Sequence, residues 1–203
     1  MAPHSSSLFL GLIVAVLVAS AYASPPTQDE ADEFLRACCA NTSNAAVCYN
    51  SLHPLAGSFE GNLVKVCSAA TVIAYARLRI FDAELRTLLR RGTGAGESVD
   101  RALKSCMMAF ELWLAEEDGV LAKLRPLETA TGRKEKQAKS NLYDVISHVA
   151  SVESATEDTC MDDFISSADR VLATPVGKKM MAGNATVHLY GGIALELVGS
   201  IKL

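Results

Sequence analysis

Residues 63–91, LVKVCSAATVIAYARLRIFDAELRTLLRR, decide the fold class of this 203-residue chain. Leu63, Val66, Cys67, Ala70, Ile73, Ala74, Phe81, Leu85 and Leu88 recur at steps of three and four, the spacing of one buried helix face. Arg90 and Arg91 bring positive charge to the last turn, and Gly92 stands where a C-cap glycine falls.

The same period governs the rest of the chain. Leu103, Cys106, Met107, Phe110, Trp113, Leu114, Leu121 and Leu124 form a second stripe, and Leu142, Val145, Ile146, Val149 and Val152 a third. Val187, Tyr190, Ala194, Leu197, Val198 and Ile201 form a fourth. Breaks fall at Gly92 to Gly96, at Thr129 to Gly132 and at Thr174-Pro175, while Glu97, Ser98 and Asp100 suit a helix start. Strand-like alternation between turn signals is missing, so the chain reads as all-α: an antiparallel four-helix bundle. Two shorter runs, Asp29 to Ala40 and Ala45 to Leu52, predict an appended helical hairpin. The expected layout is a hairpin over 29–54 and a bundle over 59–203. Gly183-Asn184 and Gly191-Gly192 are expected to interrupt the fourth helix, each glycine costing about 1 kcal/mol relative to alanine, for close packing or a kink. Residues Ile165 to Ala173 either begin that helix or stand apart.

Composition narrows the class. Half of the residues are hydrophobic, 21% are charged and the formal net charge is −4, which excludes a disordered chain and a generic nucleic-acid binder. Leu8 to Ala19 is an apolar run too short to span a bilayer, and Ala21-Tyr22-Ala23 follows it in the pattern signal peptidase accepts. The expectation is a signal peptide over 1–23, a linker over 24–28 and a secreted protein without a further membrane span, in a compartment where disulfides persist.

Catalytic signatures are lacking. His53, His148 and His188 are far apart and none has a second ligand at metal spacing; no Cys-x-x-Cys and no Gly-x-Ser-x-Gly occurs. Asp144 and His148 share a helix face, but a catalytic pair needs a nucleophile as well. Gly92-Thr-Gly94-Ala-Gly96 follows a helix rather than a strand and reads as an inter-helix loop. Arg133-Lys134-Glu-Lys136-Gln-Ala-Lys139 reads as a solvated helix start. No catalytic residue, metal or cofactor is expected. Two N-glycosylation sequons begin at Asn41 and Asn184.

Four blocks carry a resemblance. They are Cys39-Ala-Asn-Thr42 through Cys48; Ala102-Leu103-Lys-Ser-Cys106 with Phe110; Ser151-Val-Glu-Ser-Ala-Thr-Glu-Asp158-Thr159-Cys160-Met-Asp162-Asp-Phe164; and Ala194-Leu195-Glu-Leu197-Val198. In this order, on a helical chain with a leader, they resemble the plant invertase and pectin methylesterase inhibitors. The resemblance implies a four-helix bundle with an N-terminal hairpin, disulfides Cys39–Cys48 and Cys106–Cys160, and an apoplastic, non-enzymatic inhibitor. Its implied target is pectin methylesterase, with bundle helices covering the pectin-binding cleft in a one-to-one complex. Acid invertase is the alternative target, and a lipid-transfer-type carrier a remote one. Invertase-directed members carry an exposed Pro-Lys-Phe segment, which this chain lacks.

Glu111, Asp144 and His148 fall off the buried stripes and are the expected partner-binding residues. The chain departs from the family pattern at Ala45, Ser105, Val149 and Ile193. Cys38 and Cys67 are additional: they pair with each other, bridge chains or stay thiols, and at least one free thiol is expected.

Overall fold

A computed structural model describes residues 27–129, 135–154, 160–167 and 172–203. The expected leader over 1–23, residues 24–26 of the linker, the centre of the break near Gly132 and the Asp158-Thr159 pair lie outside the described residues. Every regular element among the described residues is helical.

The chain enters through α1 (Gln28–Cys39). Thr27, expected in the linker, is its N-cap: its side chain accepts from Glu30 N–H while Glu30 accepts from the Thr27 backbone, a reciprocal capping box. The Thr27 N–H, and then the Thr27 hydroxyl, donate to the Glu30 carboxylate and hold it below its ordinary range. A turn leads to α2 (Ala45–Leu52), and a short 3-10 helix (His53–Ser58) follows it. Then comes α3 (Leu63–Arg91), 29 residues capped by the Asn62 side chain and ended by Gly92 at φ 75°. Both ends agree with the reading from sequence.

The second stripe is not one unbroken helix. α4 (Glu97–Ala115) stops at Glu116, and α5 (Glu117–Leu124) resumes after that single residue. α6 (Glu135–Ser154) and a short separate α7 (Asp162–Ser167) follow. α8 (Pro175–Gly199) has Thr174 as N-cap and Pro175 in its first turn, where the missing N–H costs nothing. Four rods result, with α3 packed on α4 and α8, and α6 packed on α5 and α8.

The glycine pairs of α8 do not interrupt it; the helix runs unbroken through both. They allow close approach instead. A methyl group at Gly183 would lie 2.8 Å from Phe81 Cγ and nearer still to two other ring carbons. One at Gly191 would sit 3.7 Å from Glu153 Cβ, and one at Gly192 3.4 Å from the Glu153 carboxylate. The backbone of α8 therefore serves as a groove for a phenyl ring of α3 and for one side chain of α6.

The interior divides into two clusters. One, at the hairpin end, joins Leu35, Cys39, Cys48, Leu52, Val66, Cys67, Leu124, Val149, Ile193 and Leu197. The other joins Tyr75, Phe81, Leu103, Cys106, Phe110, Cys160, Phe164 and Met180. Phe81 and Phe110 meet in the second, their ring centroids 5.4 Å apart and tilted. Each cluster holds one disulfide: Cys39–Cys48 in the first and Cys106–Cys160 in the second. Val149 and Ile193, two of the departures from the family pattern, are buried in the first cluster. They alter the packing of α6 and α8 rather than an outer face.

Tyr75 lies in the second cluster at 1% exposure, and its hydroxyl finds no hydrogen-bond partner among the described residues. Burial, and then the Glu117 and Glu116 carboxylates, push the phenol up to about 12 from an ordinary 10. Because the folded value is the higher one, the stability the neutral phenol contributes is complete below pH 10 and is lost as pH rises toward 12. Tyr75→Phe is expected to remove that alkaline loss while leaving stability at pH 7 unchanged or about 1 kcal/mol higher. Urea unfolding at neutral and alkaline pH checks both statements.

Candidate functional site

The two clamps are well placed to stiffen the bundle. Cys39–Cys48 spans 9 residues and locks α1 against α2, with the Thr42 hydroxyl donating to Cys39 O at 2.8 Å inside the turn. Ser43 N–H donates to the Glu196 carboxylate of α8 at 2.9 Å, and the Ser43 hydroxyl donates to it as well, docking the hairpin tip on the bundle. Cys106–Cys160 joins the buried face of α4 to the residues just before α7. Side chains on the opposite faces of α4 and α6 therefore project from a fixed frame.

Three of those outward side chains are the ones the sequence singled out. Glu111, exposed on α4, accepts from Arg86 of α3 at 2.6 Å, and Arg86 also donates to Asp82 at 2.7 Å. The bond to Asp82, then that to Glu111, raises the Arg86 pKa and holds the guanidinium charged. Asp144 and His148 are half-buried on α6 and are brought together: His148 Nδ1 lies 2.8 Å from the Asp144 carbonyl. The Asp144 carboxylate instead takes Lys123 of α5 at 2.9 Å, and His148 Nε2 lies 3.7 Å from Glu116. So Asp144 and His148 form one cross-helix cluster with Lys123 and Glu116, while Glu111 belongs to a second network with Arg86 and Asp82.

Other exposed side chains of α4 and α6 are not read as contacts from the sequence, where the Met107-Met108 pair counts among core fillers. Met108 and Leu112, one turn apart on α4, are 62% and 71% exposed, and Tyr143 on α6 is 73% exposed. A signal for two of them existed: Met108 and Leu112 are the apolar residues of α4 that miss its buried stripe.

Among the described residues each histidine faces a carboxylate from another element: His53 with Asp32 at 3.4 Å, His148 with Glu116, and His188 with Glu153 at 3.5 Å. Among the described residues no group of three His, Cys, Asp or Glu is placed to hold a metal ion. Also among them, no helix is long and apolar enough to cross a membrane. Of the basic run near residue 135, Arg133 and Lys134 lie outside the described residues; Lys136 and Lys139 are exposed, Lys139 pairing with Glu135. The sequon residues differ. Asn41 is exposed in the hairpin turn, whereas Asn184 is half-buried in α8 with its Oδ1 enclosed.

Comparison with known proteins fits this description. The fold is similar to that in the crystal structure of mutant form A of a pectin methylesterase inhibitor from Arabidopsis, with TM-score 0.58 and 18% identity, covering 81% of this chain and 94% of that one. An uncharacterized protein of Oryza sativa subsp. japonica is 34% identical over 96 residues, 45% of this chain. That match spans 41% of the rice protein's length. The family described as plant invertase/pectin methylesterase inhibitor matches residues 33–197. With that match over most of its length, on a helical bundle carrying two disulfides, the chain belongs to the plant invertase/pectin methylesterase inhibitor family.

Proposed function

We propose that the chain is secreted to the apoplast after loss of residues 1–23 and inhibits pectin methylesterase by occluding its pectin-binding cleft in a one-to-one complex. The observation that carries the reading is the family match over residues 33–197. The docking face is formed by the outer sides of α4 and α6. Leu112 and Met108 supply the apolar centre, with Glu111, Asp144 and His148 around it. Such a surface needs no bond-making group; a preorganised frame loses little freedom on binding, which favours affinity. The net charge of −4 suits a basic target and acts chiefly on association rate.

Titrating a plant pectin methylesterase with the purified chain is the test. Activity is expected to fall to completion at one equivalent, with a cell-wall invertase unaffected. Loss of invertase activity alone would transfer the assignment to the second member of the family pair, and loss of neither would remove the inhibitor reading. Replacing Glu111, Asp144 and His148 together by alanine is expected to weaken inhibition about tenfold or more, with Tm changed by only a few degrees.

The same reading assigns the glycan. Asn41, exposed at the hairpin turn, accepts it; Asn184, half-buried in α8, does not. Glycosidase treatment of the secreted protein followed by peptide mass mapping is expected to find the modification at Asn41 only.

A further inference from the structure

Two cysteines stand outside both clamps. Cys38, half-buried, lies in the last turn of α1 beside the clamped Cys39; Cys67, with no exposed surface, lies in the second turn of α3. They share one interior: Cys67 is a core member of the hairpin-end cluster, and Cys38 packs against that same cluster from α1. α1 and α3 touch directly. Burial first, and then the Cys38 thiol, push the Cys67 thiol up to about 12. Burial raises the Cys38 thiol as well.

The existing bridges leave a gap that this pair spans. Cys39–Cys48 is internal to the hairpin, and Cys106–Cys160 is internal to the bundle. Neither joins one to the other. Apolar burial and the Ser43–Glu196 hydrogen bonds hold the hairpin in place, and these contacts open and close without breaking a covalent bond.

We propose that Cys38 and Cys67 form a third disulfide, a covalent tie between the N-terminal hairpin and α3. The oxidant is a small or protein disulfide of the glutathione or dithiol-oxidoreductase class. The half-buried Cys38 thiolate attacks one sulfur of that disulfide, forming a mixed disulfide and expelling a thiolate. The Cys67 thiolate then attacks the Cys38 sulfur and expels the second. The two thiol protons pass to the two leaving thiolates, and the oxidant takes both electrons. The second step waits on a high-pKa thiol, so closure in the folded protein is slow and speeds up about tenfold per pH unit below that pKa.

The test is disulfide mapping of the full chain after incubation with oxidised glutathione, with a thiol count under denaturing conditions. The expected result is a peptide linking Cys38 to Cys67, no alkylatable thiol and a Tm raised by roughly 5–10 °C over the untreated protein. A Cys38→Ser variant, altered at the more exposed of the two positions, is expected to fold normally and show no such rise. Two alkylatable thiols, a stable glutathione adduct on Cys38, or a bridge between two chains would each overturn the proposal. So would an equal rise in Cys38→Ser.

Discussion

Replacing Cys106 and Cys160 together by alanine is expected to lower stability by about 4 kcal/mol, roughly a thousandfold in the folded-to-unfolded ratio. The bridge closes a loop of 54 residues, so its loss frees much chain entropy in the unfolded state. Both sulfurs are fully buried in the cluster around Phe110 and Phe164, so small gaps in packing add to that loss. At about 2–4 °C per kcal/mol for a chain of this size, Tm is expected to fall by roughly 8–16 °C, as calorimetry will show. The Cys39–Cys48 bridge closes a loop of only 9 residues, so the same double replacement there is expected to cost about 2.5–3 kcal/mol. A larger effect at the hairpin than at Cys106–Cys160 would contradict this account of the clamps.

The second large effect concerns Gly183. In an ordinary helix interior, alanine in place of glycine gains up to about 1 kcal/mol. Here the sign is expected to reverse. Phe81 is 2% exposed and packed against Phe110, so a new methyl group on α8 forces this buried ring to shift. Gly183→Ala is expected to destabilise by about 2–3 kcal/mol, as overpacking does in a well-filled core. In a double variant with Phe81→Leu, part of the loss returns, and the non-additivity locates the clash. Gly199, with open space where a Cβ would sit, is the control and is expected to tolerate alanine. Urea titration of the five proteins, the parent, both single variants, the double variant and Gly199→Ala, decides the matter.

That glycine also marks the limit of what the sequence disclosed. The long α3 was legible from end to end, because its stripe, its basic last turn and its C-cap Gly92 all agree. A glycine pair inside an otherwise helical stretch is ambiguous by itself. Intrinsic propensity predicts a break, and only the ring of Phe81, about a hundred positions away in sequence, shows why the helix continues. The single-residue break at Glu116 was hidden for a related reason: the stripe of Leu114 and Leu121 carries across it without a change of period. On the candidate face, the off-stripe position of Glu111 and His148 was readable. Their partners were not, since Arg86, Lys123 and Glu116 come from other helices and leave no local signature. Met108 and Leu112 lie off the stripe, and their exposure is not announced by their apolar character.

The central claim is that a stiff bundle plugs another protein's cleft with the outer sides of α4 and α6. Amide hydrogen exchange of the chain, alone and with one equivalent of pectin methylesterase, tests this directly. The account predicts slowed exchange around residues 108–116 and 143–148, with the hairpin of α1 and α2 unchanged. Protection centred on that hairpin or on the α3–α8 side, with α4 and α6 exchanging as in the free chain, would contradict it.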